Sequence, residues 1–159
     1  AEIARNAGYK VQNLGADLEG EARHVAALHA NLARDAAKSG QRLVLLSGGE
    51  LTVTVKGQGR GGPNQEYALA LALELGGHPG IIALAGDTDG TDGGGGNADD
   101  PAGALIDETT LERAAALCLN PAAFLANNDA TGFFGYLGDL LTPGPTGTNV
   151  NDLRAIIIG

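Results

Sequence analysis

The sequence has no methionine, no tryptophan and a single cysteine, and its aromatic rings are limited to three phenylalanines and three tyrosines in 159 residues. One thiol, Cys118, cannot close a disulfide within the chain or build a cysteine-rich zinc site, so a disulfide scaffold and a zinc fold are both excluded. Basic residues are scarce and scattered singly: 10 Lys and Arg against 19 Asp and Glu give a net charge of -9. That balance disfavours nucleic acid and acidic membrane surfaces as partners. No apolar run reaches the roughly 18 residues of a membrane span, and the opening AEIARNAGYK lacks the basic flank and apolar centre of a signal peptide. A cytoplasmic location is the expectation. The missing methionine and the initial Ala1 suggest a piece of a longer protein.

What is present favours a folded domain. With 43% hydrophobic and only 18% charged residues, the chain can bury a core, and its length suits one domain better than two. Glycine is in excess, 26 residues against a usual share of about 7%, and the surplus is clustered. Those clusters are the places to seek a site.

Residues 8–14 (GYKVQNL) read as a strand, and Val25, Leu28, Leu32 and Ala36 carry a helical period that ends at Gly40. RLVLL (42–46) and LTVTV (51–55) read as strands joined by a tight turn at Gly48 and Gly49. Pro63 marks the first turn of a helix through NQEYALALALEL, because Ala and Leu are strong helix formers despite the strand-like alternation of the leucines. GIIALA (80–85) is a buried strand, followed by a polar loop to about Gly103. Helices are expected at 109–117, 121–126 (with Asn120 as cap) and 133–141, and RAIII (154–158) supplies a last strand. Alternating strands and helices predict a layered αβα domain of the α/β class, with a mixed, mostly parallel sheet.

Four clusters could carry chemistry. In KGQGRGGPNQE, Gly57, Gly59 and Gly62 satisfy the spacing of the dinucleotide fingerprint, but GGHPGI stands where that fingerprint wants an acidic residue. The remaining physical reading is an anion site, made of backbone N–H groups, a helix start and the charges of Lys56 and Arg60, or else a plain hairpin loop. In AGDTDGTDGGGGNADD, Asp87, Asp89 and Asp92 follow a buried strand, where α/β proteins place their ligands. Crowded carboxylates must be exposed, meet a base or bind a hard cation, so a Mg²⁺ or substrate-hydroxyl site competes with an acidic surface loop. An EF-hand is excluded by Thr91 and Asp92 at positions that require other residues. Ser47, Gly48, Gly49 and Glu50 end a core strand and offer either N–H donors or a turn, and TPGPTGTNVND presents Thr146, Thr148 and Asn149 in a stiffened loop. His24 and His29 miss the spacing that would put both on one metal and read as surface residues, and Phe133 and Phe134 read as core.

Taken in order, SGGELTVTVKGQGRGGPNQEYALALAL, AGDTDGTDG with DPAGALID, and DATGFFGYLGDLLTPGPTGTNVNDLRAIII resemble the C-terminal MOFRL domain of the glycerate 2-kinase family, whose members are also labelled hydroxypyruvate reductases. The similarity covers 42–158, with 1–40 as a lead-in strand and helix, and Pro63 departs from the arginine often found there in the family. The resemblance implies that 1–159 is one domain of a two-domain enzyme whose N-terminal domain is its partner across the active-site cleft. It implies phosphoryl transfer from ATP to the 2-hydroxyl of D-glycerate, with Mg²⁺. Arg60 would clamp a carboxylate or the moving phosphoryl group, Asp87 and Asp89 would hold the metal or the accepting hydroxyl, and Asp92 would be a further ligand. Lys56, Asn64, Ser47, Gly48, Gly49, Thr146, Thr148 and Asn149 would line the substrate side. The competing expectations are an NAD(P)H-dependent hydroxypyruvate reductase and a non-catalytic docking domain.

Overall fold

The computed structural model describes residues 1–94, 97 and 99–159. In chain order the elements are α1 (Glu2–Asn6), β1 (Lys10–Asn13), β2 (Gly20–Glu21), α2 (Ala22–Lys38), β3 (Leu43–Ser47), β4 (Leu51–Thr52), α3 (Pro63–Leu75), β5 (Ile81–Asp87), β6 (Gly103–Ile106), α4 (Thr110–Ala116), α5 (Pro121–Ala126), α6 (Ala130–Leu137), β7 (Leu140–Leu141) and β8 (Asp152–Ile158). Six strands form one sheet in the order β1-β3-β8-β5-β6-β7, and β2 and β4 pair separately.

The α/β class and the mixed sheet are as expected, but the pairing is not mostly parallel. Only β1 and β3 are parallel neighbours in the large sheet; β3–β8, β8–β5, β5–β6 and β6–β7 are all antiparallel. The cause is β8, which returns at the end of the chain and inserts between β3 and β5, running against both. The same insertion overturns the hairpin expected at Gly48 and Gly49. The edge of β3 that β4 would have joined is taken by β8, and β4 instead pairs in parallel with β2.

α3 follows its sequence signals. Pro63 occupies the first turn, where no N–H is needed, and Gly76 closes the helix in the left-handed region (φ 63°) with its N–H on Ala72 O at 3.0 Å. Its leucines alternate without harm because every residue from Asn64 to Ala72 is buried: α2, the sheet, α5 and α6 surround it. Against α3, α2 turns a stripe of Ala22, Val25, Ala26, His29, Ala30 and Ala33, small enough for close approach. Of the residues that carry the helical period, Val25 is buried, whereas Leu28 is 64% exposed and Leu32 is also exposed.

The core is one cluster. Leu45, Ala83, Ile106, Ile156 and Ile158 from the sheet meet α2, α3, Ala114 of α4 and Phe133 and Phe134 of α6. These helices therefore lie on one face. On the other face β5, β6 and β8 expose aliphatic side chains: Ile82 (46%), Leu105 (44%) and Leu153 (45%). Over these strands the fold is two layers, not the expected αβα. Leu84, Ala155 and Ile157 join Ile82 and Leu105 to floor a groove of about 510 Å³, with Arg113 and Asp139 in its lining. No helix among the described residues is long and apolar enough to cross a membrane.

Candidate functional site

From residue 56 to residue 60 the glycine-rich loop before α3 is pinned from within. Lys56 N and Gly57 N both donate to Asn128 Oδ1 (2.8 and 2.9 Å), Gln58 N to Asn127 Oδ1 (3.1 Å), Gly59 N to Asn127 O (2.9 Å) and Arg60 N to Asp129 Oδ1 (3.1 Å). The run of glycines serves this close packing. A Cβ at Gly57 would collide with the Asn127 backbone and one at Gly59 with Asp129. Asn127, Asn128 and Asp129 thus play the part that the sequence reading assigned to an external anion. They were not singled out, although Asn and Asp side chains accepting backbone N–H groups are the usual way to pin an irregular loop.

The start of α3 is filled in the same manner. Asp92 is buried, and its Oδ1 accepts from Asn64 N (3.0 Å) and Asn64 Nδ2 (3.3 Å), while Oδ2 accepts from Gln65 N (2.9 Å) and Gln65 Nε2 (3.0 Å). A carboxylate placed here also meets the positive end of the helix dipole. Burial, opposed by these bonds, pushes its pKa up to about 6. Both oxygens are occupied, so Asp92 is a helix cap and not the metal ligand expected. No group of three or more Asp, Glu, His or Cys side chains able to hold a metal occurs among the described residues.

Asn64 also turns inward: Nδ2 donates to Asp152 Oδ1 at 2.7 Å, and Oδ1 accepts from Arg154 Nη1 at 3.3 Å. Ser47, Gly48 and Gly49 complete the same network. Ser47 Oγ lies 3.3 Å from Arg154 Nε, and the carbonyls of Gly48 and Gly49 accept from Nη2 at 2.7 and 3.1 Å. Gly48 N is spent on Gly15 O. These four residues, expected to line the substrate, instead receive a buried arginine. Further along α3, Glu66 bonds Arg23 (2.7 Å) and Asn128 Nδ2 (2.8 Å), and Tyr67 OH lies 2.8 Å from His29 Nδ1. His29 is therefore a core residue and not a surface one; burial first, then the Arg154 charge, lowers its pKa to about 4.

Two sequence-predicted acids remain open. Asp87 ends β5, with Oδ1 accepting from Asp89 N at 3.0 Å. Asp89 Oδ1 takes Thr91 N at 2.9 Å, and Oδ2 takes Asn149 Nδ2 at 3.3 Å. The 142–151 loop is laid along this turn: Thr146 Oγ1 donates to Thr88 O (2.6 Å), Thr146 N to Asp89 O (3.1 Å), and Thr148 N to Thr146 Oγ1 (3.3 Å). Partial burial, followed by the neighbouring Asp89 and Asp152 charges, drives the Asp87 pKa upward against the bond from Asp89 N. Asp87, Thr88 and Thr146 line a recess of about 540 Å³ with Leu84, Leu141 and Leu153.

Arg60 lies elsewhere. It lines a recess of about 340 Å³ with Asp92, Asp99, Asp100 and Thr131, and its guanidinium has no hydrogen-bond or ion-pair partner among the described residues. Lys56 lines a third, smaller groove with Glu21, Arg23, His24 and Thr54. The expected convergence of Arg60 on Asp87 and Asp89 in one cavity is therefore not seen within this chain. Asp92, in the lining of the Arg60 recess, is linked through Asn64 to Asp152, the cross-strand partner of Asp87. Part of the acidic glycine-rich stretch, at 95, 96 and 98, lies outside the described residues.

The comparisons with known proteins agree with the motif blocks. The MOFRL family profile matches residues 43–152. A D-glycerate 2-kinase from Thermotoga maritima is 38% identical over 95% of this chain, and a glycerate 2-kinase from Pyrococcus horikoshii is 35% identical over 99%. An Agrobacterium vitis relative provisionally named hydroxypyruvate reductase is 45% identical over the whole chain. The chain spans only 36–37% of the length of these three proteins. Among solved structures, a glycerate kinase from Thermotoga maritima superposes with a TM-score of 0.93 at 36% identity, over 99% of this chain and 38% of that one. A Pyrococcus horikoshii protein superposes with a TM-score of 0.91 at 34% identity, over 99% of this chain and 36% of that one. With the glycine loop, the Asp87 turn and the last strand all inside or bordering the matched span, this chain belongs to the MOFRL family.

Proposed function

We propose that this chain is the MOFRL domain of a glycerate 2-kinase, supplying one wall of a site in which ATP phosphorylates D-glycerate at its 2-hydroxyl. The likeness to the Thermotoga maritima glycerate kinase, close in both backbone and sequence over nearly the whole chain, carries this reading. The full reaction, its substrates and an N-terminal partner domain are part of the proposal, since the chain covers about a third of such enzymes.

Phosphoryl transfer needs little covalent help from a protein; positioning and charge neutralisation supply the rate. Asp87 suits the positioning of the accepting hydroxyl: it stands at a strand end in a recess, its Oδ2 has no hydrogen-bond partner among the described residues, and its raised pKa makes it a better proton acceptor. Asp89 and the Thr146 to Asn149 segment hold that turn in shape. Mg²⁺ commonly keeps waters and uses one or two carboxylates plus substrate phosphates. Asp87 and Asp89 fit that limited role, and Mg²⁺ bound there would neutralise charge on ATP. Arg60, whose guanidinium has no partner among the described residues, would take an anion in its own recess, the substrate carboxylate or a phosphate.

The reductase alternative loses its sequence support. In the glycine loop that mimics a dinucleotide fingerprint, the N–H groups of residues 56–60 are spent on Asn127, Asn128 and Asp129, and the helix start that would receive a pyrophosphate already holds the Asp92 carboxylate. The full-length polypeptide assayed with ATP, Mg²⁺ and D-glycerate is expected to release ADP and 2-phosphoglycerate, resolved from the 3-isomer by ³¹P NMR. Hydroxypyruvate-dependent loss of NADH without glycerate-dependent ADP release would overturn the kinase reading.

A further inference from the structure

We infer that Arg154 and Asp152 are positioning residues for the proposed phosphoryl transfer: a buried ion pair behind the Asp87 turn that fixes where Asp87 stands. The inference rests on the kinase reading of that turn. Arg154 is 1% exposed, yet its guanidinium is fully engaged, with Asp152 Oδ2 at 2.8 Å, Gly48 O at 2.7 Å, Gly49 O at 3.1 Å, Asn64 Oδ1 and Ser47 Oγ both at 3.3 Å. It therefore ties three segments to one point: the end of β3, the start of α3 and the start of β8. Asp152 is the direct cross-strand partner of Asp87 in the β5–β8 ladder. One step further, Thr88 N and Thr88 Oγ1 both reach Asn151 O, at 3.3 and 2.8 Å, so the Asp87 turn hangs on the strand that the pair anchors.

Stability alone does not call for this arrangement. A buried pair can be exchanged for apolar residues of similar volume with little loss, whereas removing one partner leaves an uncompensated buried charge. Here the surviving charge would be the Asp152 carboxylate, beside Asp87 and with its remaining oxygen held only by Asn64. A planar fork with five acceptors in fixed directions also sets orientation in a way that a single ammonium cannot.

The test compares R154K and the double variant R154M/D152L with wild type in the full-length polypeptide. The double variant is expected to keep a cooperative melt within a few degrees of wild type, while kcat falls at least 30-fold and KM for D-glycerate and ATP moves less than 3-fold. R154K, which restores the charge without the fork, is expected to recover part of that loss. Amide exchange at Asp89 and Thr91, whose N–H groups report the Asp87 and Asp89 carboxylates, is expected to accelerate at least 10-fold with α3 amides still protected. A folded variant with unchanged kcat, or unchanged exchange at those two amides, overturns the inference. If the double variant does not fold, R154K is read by the same criteria. If wild type fails to phosphorylate glycerate, the functional reading falls and the exchange measurement alone still decides the positioning role.

Discussion

Replacing Asp92 by alanine separates a helix cap from a metal ligand. The substitution removes four hydrogen bonds: Asn64 N and Gln65 N lose their acceptor outright, while Asn64 Nδ2 keeps Asp152 Oδ1 and Gln65 Nε2 keeps the backbone carbonyl of residue 92. Loss of a helix cap costs about 0.5–2 kcal/mol, and a hydrogen bond to a charged acceptor is worth about 1.5–3 kcal/mol. The four bonds share one carboxylate, so their costs overlap and the expected loss is about 3–5 kcal/mol. For a domain of this size, at about 2–4 °C per kcal/mol, the melting temperature should fall by about 6–20 °C. Asp92→Asn keeps one acceptor oxygen but turns an NH₂ toward N–H donors, and should recover less than half of the loss. Urea and thermal unfolding of the three proteins measure this directly, alongside the Mg²⁺ dependence of turnover. A stability loss below about 1 kcal/mol accompanied by a raised Mg²⁺ requirement would refute the capping argument.

Other perturbations probe the remaining parts. His29 has a folded pKa of about 4 against 6.5 unfolded, so its contribution is full above pH 6.5 and is lost as pH falls through 4. Comparing wild type with His29→Gln between pH 7.5 and 4 should show about 3 kcal/mol less acid sensitivity in the variant, and equal slopes would reject the buried neutral imidazole. Asn128→Ala removes the acceptor of Lys56 N and Gly57 N and the donor to Glu66, at a residue held at φ 53°. Urea titration is expected to show a loss of about 3 kcal/mol; a change under 1 would mean the glycine loop is held by something else. Arg60→Ala should leave the melting temperature within about 2 °C, because its guanidinium has no partner among the described residues, yet lower glycerate-dependent ADP release at least 100-fold in the full-length polypeptide. Near-normal turnover would remove Arg60 from the site.

Local signals read well where they depend on one residue or one helix turn. Pro63 and Gly76 bounded α3 despite its alternating leucines, and Asn120 caps α5 through Ala123 N at 3.1 Å as its position suggested. Non-local pairing was less legible. Nothing near Gly48 in the sequence announces that a strand more than 100 residues later will occupy the edge of β3. β6, spelled GALI, hides among glycine and alanine, which are poor strand formers, and becomes a strand through β5 and β7 beside it.

For the site, the sequence showed which loops matter but not which atoms face one another. Asp87, Asp89, Thr146 and Asn149 do come together, whereas Asp92, Asn64, Ser47 and the two glycines turn inward. One signal went unused. Asp152, Arg154, Ile156 and Ile158 share a parity along β8, so the period-2 rule that buried the isoleucines buried the two charges with them.

The bare aliphatic side of β5, β6 and β8 shares a molecule with a net charge of -9. Between two copies these features oppose each other, and dissolved ions decide the winner. At about 0.01 M salt the like charges are felt over about 30 Å and hold neighbours apart; near 1 M that reach shrinks to about 3 Å. The contiguous side chains of Ile82, Leu105 and Leu153 then meet less opposition, so ionic strength is expected to set whether the isolated domain is a repelling or a sticky particle.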